Sequence, residues 1–170
     1  MYAGGVTVRD RVLDALQELV LAGSAAPALD AVAAAAGVSK GGLLHHFPDR
    51  RSLAHGLLHR VLAETDAAMT AAAARGDAAA TWLRLSAAQG PEARAMLVLL
   101  RVSAGGVDLP PEVGTAMAHW QDAITAEVGD PVRGEVVRLV GDGLLAEALT
   151  GTAPSAGRVE ALVAHLVGEP

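Results

Sequence analysis

The stretch that decides the fold reads LDAVAAAAGVSKGGLLHHFPDRR and runs from Leu29 to Arg51. An apolar helical pattern fills its first half and ends at Gly37, and a second short helix follows Ser39. Gly37 suits the left-handed conformation in which helices commonly end, and the Ser39 hydroxyl is a good N-cap for the next helix. Two short helices separated by such a turn indicate a helix-turn-helix at about residues 29–48.

The second helix of this stretch has an inward and an outward face. Leu43 and Phe47 lie four residues apart and form the inward, apolar face. The outward residues suit DNA: Lys40 brings a positive charge, and the two histidines can donate hydrogen bonds to phosphates or bases. The glycine pair 41–42 weakens the helix but lets its backbone approach a duplex closely.

These residues resemble the DNA-binding domain of the tetracycline-repressor (TetR) family of bacterial transcription regulators. The family's core reads approximately A-G-V-S-K-G-T-L-Y-x-H-F-P-S-K-x-x-L, and the chain has AGVSKGGLLHHFPDRRSL over residues 36–53. The resemblance implies that the outward residues contact DNA and that Arg50 meets a phosphate. Gly42 stands where threonine is common, Leu44 where tyrosine is common, and Ala28 where a serine or threonine cap is common. The predicted DNA-binding residues are Ser39, Lys40, Gly41, Gly42, Leu44, His45, His46 and Arg50.

Composition narrows the class of protein. The chain has 170 residues, 52% of them apolar, which is enough for one or two small domains with a sizeable core. It contains no cysteine, so it has neither disulfides nor thiolate metal sites, as is common in a reducing compartment. No basic segment followed by an apolar one opens the chain, and no run of about 18 apolar residues could cross a membrane. We therefore expect a cytoplasmic location and no membrane partner.

The charge of the chain is unevenly distributed. The formal net charge is −6, yet residues 1–60 hold six basic and five acidic residues. Residues 39–60 hold four basic residues, one acidic residue and four histidines. The region around residues 39–60 can therefore attract phosphate while the more acidic remainder of the chain repels it, which favours one orientation on DNA.

Glycines and prolines divide the rest of the chain into helical stretches, and no segment shows sustained β-strand alternation. We predict an all-α fold of about nine helices, with a three-helix DNA-binding head followed by a helical bundle for ligand binding and dimerisation. The predicted domains are residues 1–53 and 54–170. The predicted helices cover about residues 7–22, 29–36, 39–47, 49–75, 77–89, 91–104, 111–128, 131–150 and 155–167.

The last two predicted helices correspond to those through which the TetR family forms dimers. Their apolar faces could form a self-complementary patch, and Gly134, Gly141 and Gly143 permit close helix approach. The alternative is that these faces only close the core of the subunit. The predicted interface residues are Val136, Val140, Leu144, Val159, Leu162, Val163 and Leu166.

A small-molecule effector is expected in the bundle. Arg101 ends the most apolar helix, where its charge could meet an anionic ligand or extend to water. Core packing remains open for each of the other candidates, and the few aromatic residues favour an aliphatic or small acidic effector. The candidate pocket residues are Trp82, Met96, Arg101, Met117, His119, Trp120 and Gln121.

The sequence offers weaker signals for three other classes of site or function. His55 and His59 share one helix face, but the zinc-peptidase pattern HExxH fails because Gly56 follows His55, so no metal or other cofactor is predicted. Nucleophile-elbow, phosphate-loop and dinucleotide-binding motifs are missing from the sequence, so we do not predict an enzyme. A ligand-independent protein that organises DNA or division would have the same head. The prediction is a dimeric regulator, a repressor that binds a palindromic operator and is released by an effector.

Overall fold

The computed structural model describes residues 7–24, 26–87, 97–98, 101–103, 105–152 and 154–168, and all regular elements in these ranges are helices. The all-α prediction with about nine helices is confirmed, and the helix bounds lie close to the predicted ones. Part of the sixth predicted helix lies outside the described residues. The helices are α1 (Val8–Leu21), α2 (Leu29–Ala35), α3 (Lys40–His46), α4 (Arg50–Ala73), α5 (Ala78–Ser86), α6 (residues 97–98 and 101–103), α7 (Pro111–Val128), α8 (Pro131–Leu149) and α9 (Ala156–Leu166).

Side-chain caps set the start of most helices in the head. The Thr7 hydroxyl accepts from the Asp10 N–H at 3.1 Å, and the Asp10 carboxylate accepts from the Thr7 N–H in return. The Asp49 carboxylate caps α4 in the same way with Ser52. These caps satisfy N–H groups that the first helical turn leaves without partners. Helix α2 lacks a side-chain cap, because the residue before it is Ala28, whose methyl group cannot accept a hydrogen bond.

The head is formed by α1, α2 and α3, which pack against one another, and by the first half of α4, which packs against α1. Phe47, the single phenylalanine, is 3% exposed at the centre of this contact. Gly56 of α4 faces it, since a Cβ built on Gly56 would lie 2.7 Å from the Phe47 ring. The buried side chains of the head include Val12, Leu13, Leu16, Val20, Val32, Leu43, Leu53 and Leu57.

Two features connect the head to the body, which is made of α5 to α9. Helix α4 has 24 residues, about 36 Å at 1.5 Å per residue, and its second half packs against α5 and α7. Arg101 of α6 provides the second link, because its guanidinium donates to the Val20 and Leu21 carbonyls at 3.1 and 2.6 Å. These carbonyls end α1, where a positive charge is favourable.

The centre of the body is built around two tryptophans. The Trp82 and Trp120 rings lie 6.2 Å apart, and each is 2% exposed. The Trp82 indole N–H donates to the Arg138 carbonyl at 3.3 Å, and that of Trp120 donates to the Asp66 carboxylate at 2.8 Å. Helix α8 crosses the Trp82 ring at Gly141, where a Cβ would lie 2.0 Å from the indole nitrogen.

The first turn of α5 is capped by a residue far away in the sequence. Asp77 precedes α5 but makes no side-chain capping bond to it. Instead the carboxylate of Glu127, on α7, accepts from the N–H groups of Ala78 and Ala79. The cap therefore forms only when α7 is packed against α5.

Long apolar helices that could cross a membrane do not occur in the described part of the chain.

Candidate nucleic-acid interface and other predicted sites

Helix α3 presents its polar side to solvent. Leu43 is fully buried in the head, and Phe47 just after the helix is nearly so. Lys40, His45 and His46 are exposed on the opposite side. The orientation follows from the spacing of Leu43 and Phe47, because burying both fixes the rotation of so short a helix. The face is therefore free to enter a DNA major groove.

The first turn of α3 combines a cap with an open backbone. The Ser39 hydroxyl accepts from the Gly42 N–H at 3.0 Å, so its role in the structure is to begin the helix. A Cβ on Gly42 would lie 3.3 Å from that hydroxyl, whereas a Cβ on Gly41 would meet no atom within 4 Å. Gly41 is therefore the point where the backbone is most accessible to a partner.

Lys40 already has a partner in the free protein. Its ammonium lies 3.0 Å from the carboxylate of Asp30, on α2, and both side chains are more than half exposed. An exposed pair of this kind contributes about 1 kcal/mol or less, so DNA phosphates can displace Asp30. Asp30 could not be recognised as this partner from the sequence, because an acid in the first turn of α2 indicates a favourable helix start rather than an ion pair with Lys40.

The rest of the face is mixed in character. The His45 and His46 rings meet edge to face with centroids 5.3 Å apart, and both are exposed. Leu44 is half-buried and packs partly against the head core, so only part of its side chain is available to DNA. The guanidinium of Arg9, at the start of α1, lies 5.4 Å from the centre of the Phe47 ring, which holds a further positive charge beside α3.

Arg50 begins α4 at the edge of the same surface. Its guanidinium donates to the Ala26 carbonyl, and its side chain is exposed. The neighbouring Asp49 accepts hydrogen bonds from Ser52, first of all from its backbone N–H, and they hold the pKa of this carboxyl below its ordinary value. Asp49 is thus engaged in capping, and Arg50 is left to provide the charge at this edge.

The candidate pocket residues that the structure describes lie in several different places. Trp82 and Trp120 are buried core residues, and together with Met117 and Gln121 they border a space of only about 10 Å³. His119 is exposed and lines a shallow groove on the surface. Arg101 binds the carbonyls that end α1 and so joins head to body. The remaining candidate, Met96, lies outside the described residues.

The predicted dimer interface is corrected at two positions. Leu144 and Val159 are each 2% exposed, because they pack into the core of their own subunit, so they are not available to a second copy. Gly134 and Gly141 are also used inside the subunit, where a Cβ would meet Thr125 and Trp82. The other predicted residues are exposed or half-buried, namely Val136, Val140, Leu162, Val163 and Leu166.

An exposed apolar stripe on α8 was missed in part. Val132 is 73% exposed and Leu139 is 52% exposed, and together with Val136 they follow helical spacing along one side. Gly143 continues this side, and a Cβ there would meet nothing within 4 Å. The spacing of these residues in the sequence indicates an apolar side, but spacing alone does not separate the inward from the outward apolar face of α8.

Two histidines of α4, His55 and His59, were considered as metal ligands. His55 is half-buried with an unpartnered Nε2, and His59 is exposed. Over the described ranges, no three His, Asp or Glu side chains come together as metal ligands would.

The geometry of the head defines the class of protein to which the chain belongs. A short helix capped by serine, packed across α2 and presenting a lysine, an open glycine backbone and two histidines to solvent, is the arrangement of a helix-turn-helix DNA-binding protein. Two family models match the chain: "Bacterial regulatory proteins, tetR family" over residues 14–57, and "Tetracyclin repressor-like, C-terminal domain" over residues 76–168. The second alone spans more than half of the chain. The protein belongs to the TetR family and is a DNA-binding transcriptional regulator.

A solved structure agrees with this fold. The chain is similar to a member of the TetR family from Streptomyces coelicolor A3, with a TM-score of 0.64 and 21% sequence identity. The similarity covers 94% of this chain and 98% of that one. No curated protein matches the chain significantly in sequence.

Proposed function

We propose that the protein is a repressor that binds a palindromic operator as a homodimer and is released by a small-molecule effector. The observation that carries the proposal is the outward face of α3, where Lys40, Gly41, His45 and His46 are exposed beside Arg50. Lys40, Leu44 and His45 would provide base preference, while His46 and Arg50 would hold phosphates. Two such heads would read half-sites in successive major grooves, about 34–36 Å apart.

The stripe on α8 supports the dimer. Val132, Val136 and Leu139 expose apolar surface that the subunit itself does not cover, and such a patch commonly marks an association site. Gly143 on the same side would let a second helix approach closely. Under twofold symmetry the stripe would pack against its own copy, with Leu162, Val163 and Leu166 of α9 at its flank.

Binding to DNA tests the first part of the proposal. In fluorescence anisotropy with a fragment from upstream of the protein's own gene, we expect Lys40→Ala to weaken binding about tenfold. The slope of log affinity against log salt should fall by about one if Lys40 meets a phosphate. Arg75→Ala, an exposed charge just beyond the far end of α4, is the matched control. Equal affinities for the wild type and Lys40→Ala would contradict the proposed face.

Oligomeric state tests the second part. Leu139→Glu places a charge in the middle of the stripe, so we expect it to shift the protein from dimer to monomer in analytical ultracentrifugation. Ala71→Glu adds the same charge at an exposed position of α4 and should leave the dimer intact. A dimer that persists in Leu139→Glu would remove α8 from the interface.

An effector distinguishes a ligand-responsive repressor from a DNA-organising protein of the same fold. Only the repressor requires a ligand that binds the DNA-free form better than the DNA-bound form. A complete switch takes about 5.5 kcal/mol of differential affinity, which is within reach of one small molecule. A reporter under the operator should be repressed by the protein and released by the effector.

A further inference from the structure

A cavity of about 380 Å³ lies where the head meets the body. Its floor is apolar and buried, and it includes Val20 of α1, Leu53 of α4 and Val102 of α6. Its walls are the α1–α2 connection at residues 26–27 and the turn that follows α6 at residues 105–108. The volume is within the range of small-molecule sites, whereas the space beside the two tryptophans is far too small for a ligand.

The rim of this cavity has a definite charge. Arg50 and Arg51 both line it, and the one acid among its lining residues is Asp108. Arg51 and Asp108 are exposed, so the rim carries a net positive charge above an apolar floor. That combination suits an amphipathic anion, with an aliphatic body on the floor and a carboxylate held by the two guanidinium groups.

The position of the cavity connects it to DNA binding. Arg50 lines the cavity and also lies at the edge of the proposed DNA face. A carboxylate that binds Arg50 would take this charge away from a phosphate. Arg101 pins the end of α1 next to Val102 in the cavity floor, so a ligand there also touches the junction that sets the orientation of the head.

We propose that this cavity binds a small aliphatic carboxylate and that its occupancy weakens DNA binding. The inference rests on the proposed function for its regulatory half, while the binding half concerns the free protein. Because both ligands need Arg50, each must lower the affinity for the other by the same factor. The effector site is then at the junction of head and body instead of at the centre of the bundle.

Titration of the DNA-free protein with octanoate tests the binding half. We expect one saturable site per chain in calorimetry, and much weaker binding of octanol and octylamine, which have the same chain without the negative charge. In methyl NMR spectra, the changes should be confined to the cavity residues, such as Val20, Leu53 and Val102. Changes centred on Leu83 and Ile124 in the body would overturn the assignment, as would a failure to saturate.

Two substitutions at the rim of the cavity should change octanoate affinity in opposite directions. Arg51→Gln should weaken octanoate binding about three- to fivefold, the range expected for a partly solvated ion pair. Asp108→Asn removes the acid from the rim and should strengthen octanoate binding by a similar factor. Arg84→Gln, a charge in the body remote from the cavity, is the control. Equal octanoate affinities in Arg51→Gln, Asp108→Asn and the wild type would contradict the site.

Competition with DNA tests the regulatory half. Saturating octanoate should weaken operator binding about three- to tenfold, with octanol having no effect. Unchanged DNA affinity with octanoate bound overturns the regulatory half. If the protein binds no DNA at all, the proposed function fails, and the calorimetric result still decides whether the cavity is a carboxylate site.

Discussion

Gly41 in α3 and two packed glycines in α8, Gly134 and Gly141, have opposite surroundings. In α8, a Cβ on Gly141 would overlap the Trp82 indole, and one on Gly134 would lie 2.7 Å from the Thr125 hydroxyl. In α3, a Cβ on Gly41 would meet nothing. Glycine destabilises a helix by about 1 kcal/mol relative to alanine, so close packing or binding is a common reason for its presence. For Gly134 and Gly141 that reason lies inside the subunit. Gly41 has no such packing in the subunit, and it lies on the face that we propose to meet DNA.

The largest expected effect is a loss of stability on substitution of Gly141, which packs against Trp82. Gly141→Ala would force a methyl group into the buried Trp82 ring, and we expect it to lower the free energy of unfolding by about 2 kcal/mol. Urea denaturation at fixed protein concentration measures the change. Gly114→Ala, at an exposed position of α7 with open space around it, should have no effect or stabilise the protein slightly. A neutral Gly141→Ala would mean that the contact between α8 and Trp82 is loose.

Substitution of Gly41, which has open space around it, should affect DNA binding without lowering stability. Gly41→Ala should leave the protein as stable as the wild type or up to about 1 kcal/mol more stable, because alanine favours the helix. Its methyl group would keep the α3 backbone away from DNA, so we expect operator affinity to fall about tenfold in anisotropy measurements. If Gly41→Ala binds DNA normally, the comparison with α8 fails and the glycine in α3 has no role at the interface.

The ion pair between Asp30 of α2 and Lys40 of α3 should change operator affinity less than Gly41→Ala does. Asp30→Asn frees Lys40 and removes an acid next to the approaching phosphates, so operator affinity should rise about threefold. The gain should shrink at high salt, because exposed charges are screened. Asp122→Asn removes an exposed acid of α7 and is the control for net charge. A loss of affinity in Asp30→Asn would show that Asp30 orients Lys40 for DNA rather than competing for it.

The smallest expected effect is a difference between the pKa values of carboxyl groups in the head and in the body. Side-chain and backbone hydrogen bonds to Thr7 and Ser52 hold the pKa values of Asp10 and Asp49 below their ordinary value of 3.8. In the body, the bond from Arg84 lowers the pKa of Glu160. Each carboxylate stabilises the fold above its unfolded pKa, and this contribution is lost as the pH falls through the folded one.

Salt should distinguish the two kinds of carboxylate in an NMR titration. High salt screens the Arg84–Glu160 pair, so the pKa of Glu160 should move up toward its ordinary value. The pKa values of Asp10 and Asp49 should move less, because their main partners are uncharged. Equal upward movement of all three would show that charges, rather than capping hydrogen bonds, dominate in the head.

The sequence was sufficient for the head because the head is built from local interactions. The Ser39 cap, the turn at Gly37 with its positive φ of 65°, and the inward pair Leu43 and Phe47 are separated by a few residues each. Their spacing therefore predicts the structure directly. The family resemblance added Arg50, which lies outside α3.

The body was less predictable because its contacts join residues far apart in the chain. Helical spacing gives α8 an apolar face, but it could not assign Leu144 to the subunit core and Leu139 to the surface. That assignment depends on where Trp82 packs. The cavity between α1, α4 and the turn after α6 could not be found from the sequence for the same reason, since helical spacing does not reveal the proximity of these elements.

The cap on α5 also has a consequence for the order of folding. The caps of α1, α3 and α4 come from residues next to them, so the head can form early. The cap from Glu127 closes a loop of 48 residues, from 79 to 127, so α5 is capped only once α7 has packed against it, and such long-range closure slows assembly. Both tryptophans lie in the body, so in stopped-flow refolding their fluorescence should change after the first rise in helical circular dichroism. Simultaneous changes would indicate that head and body fold as one unit.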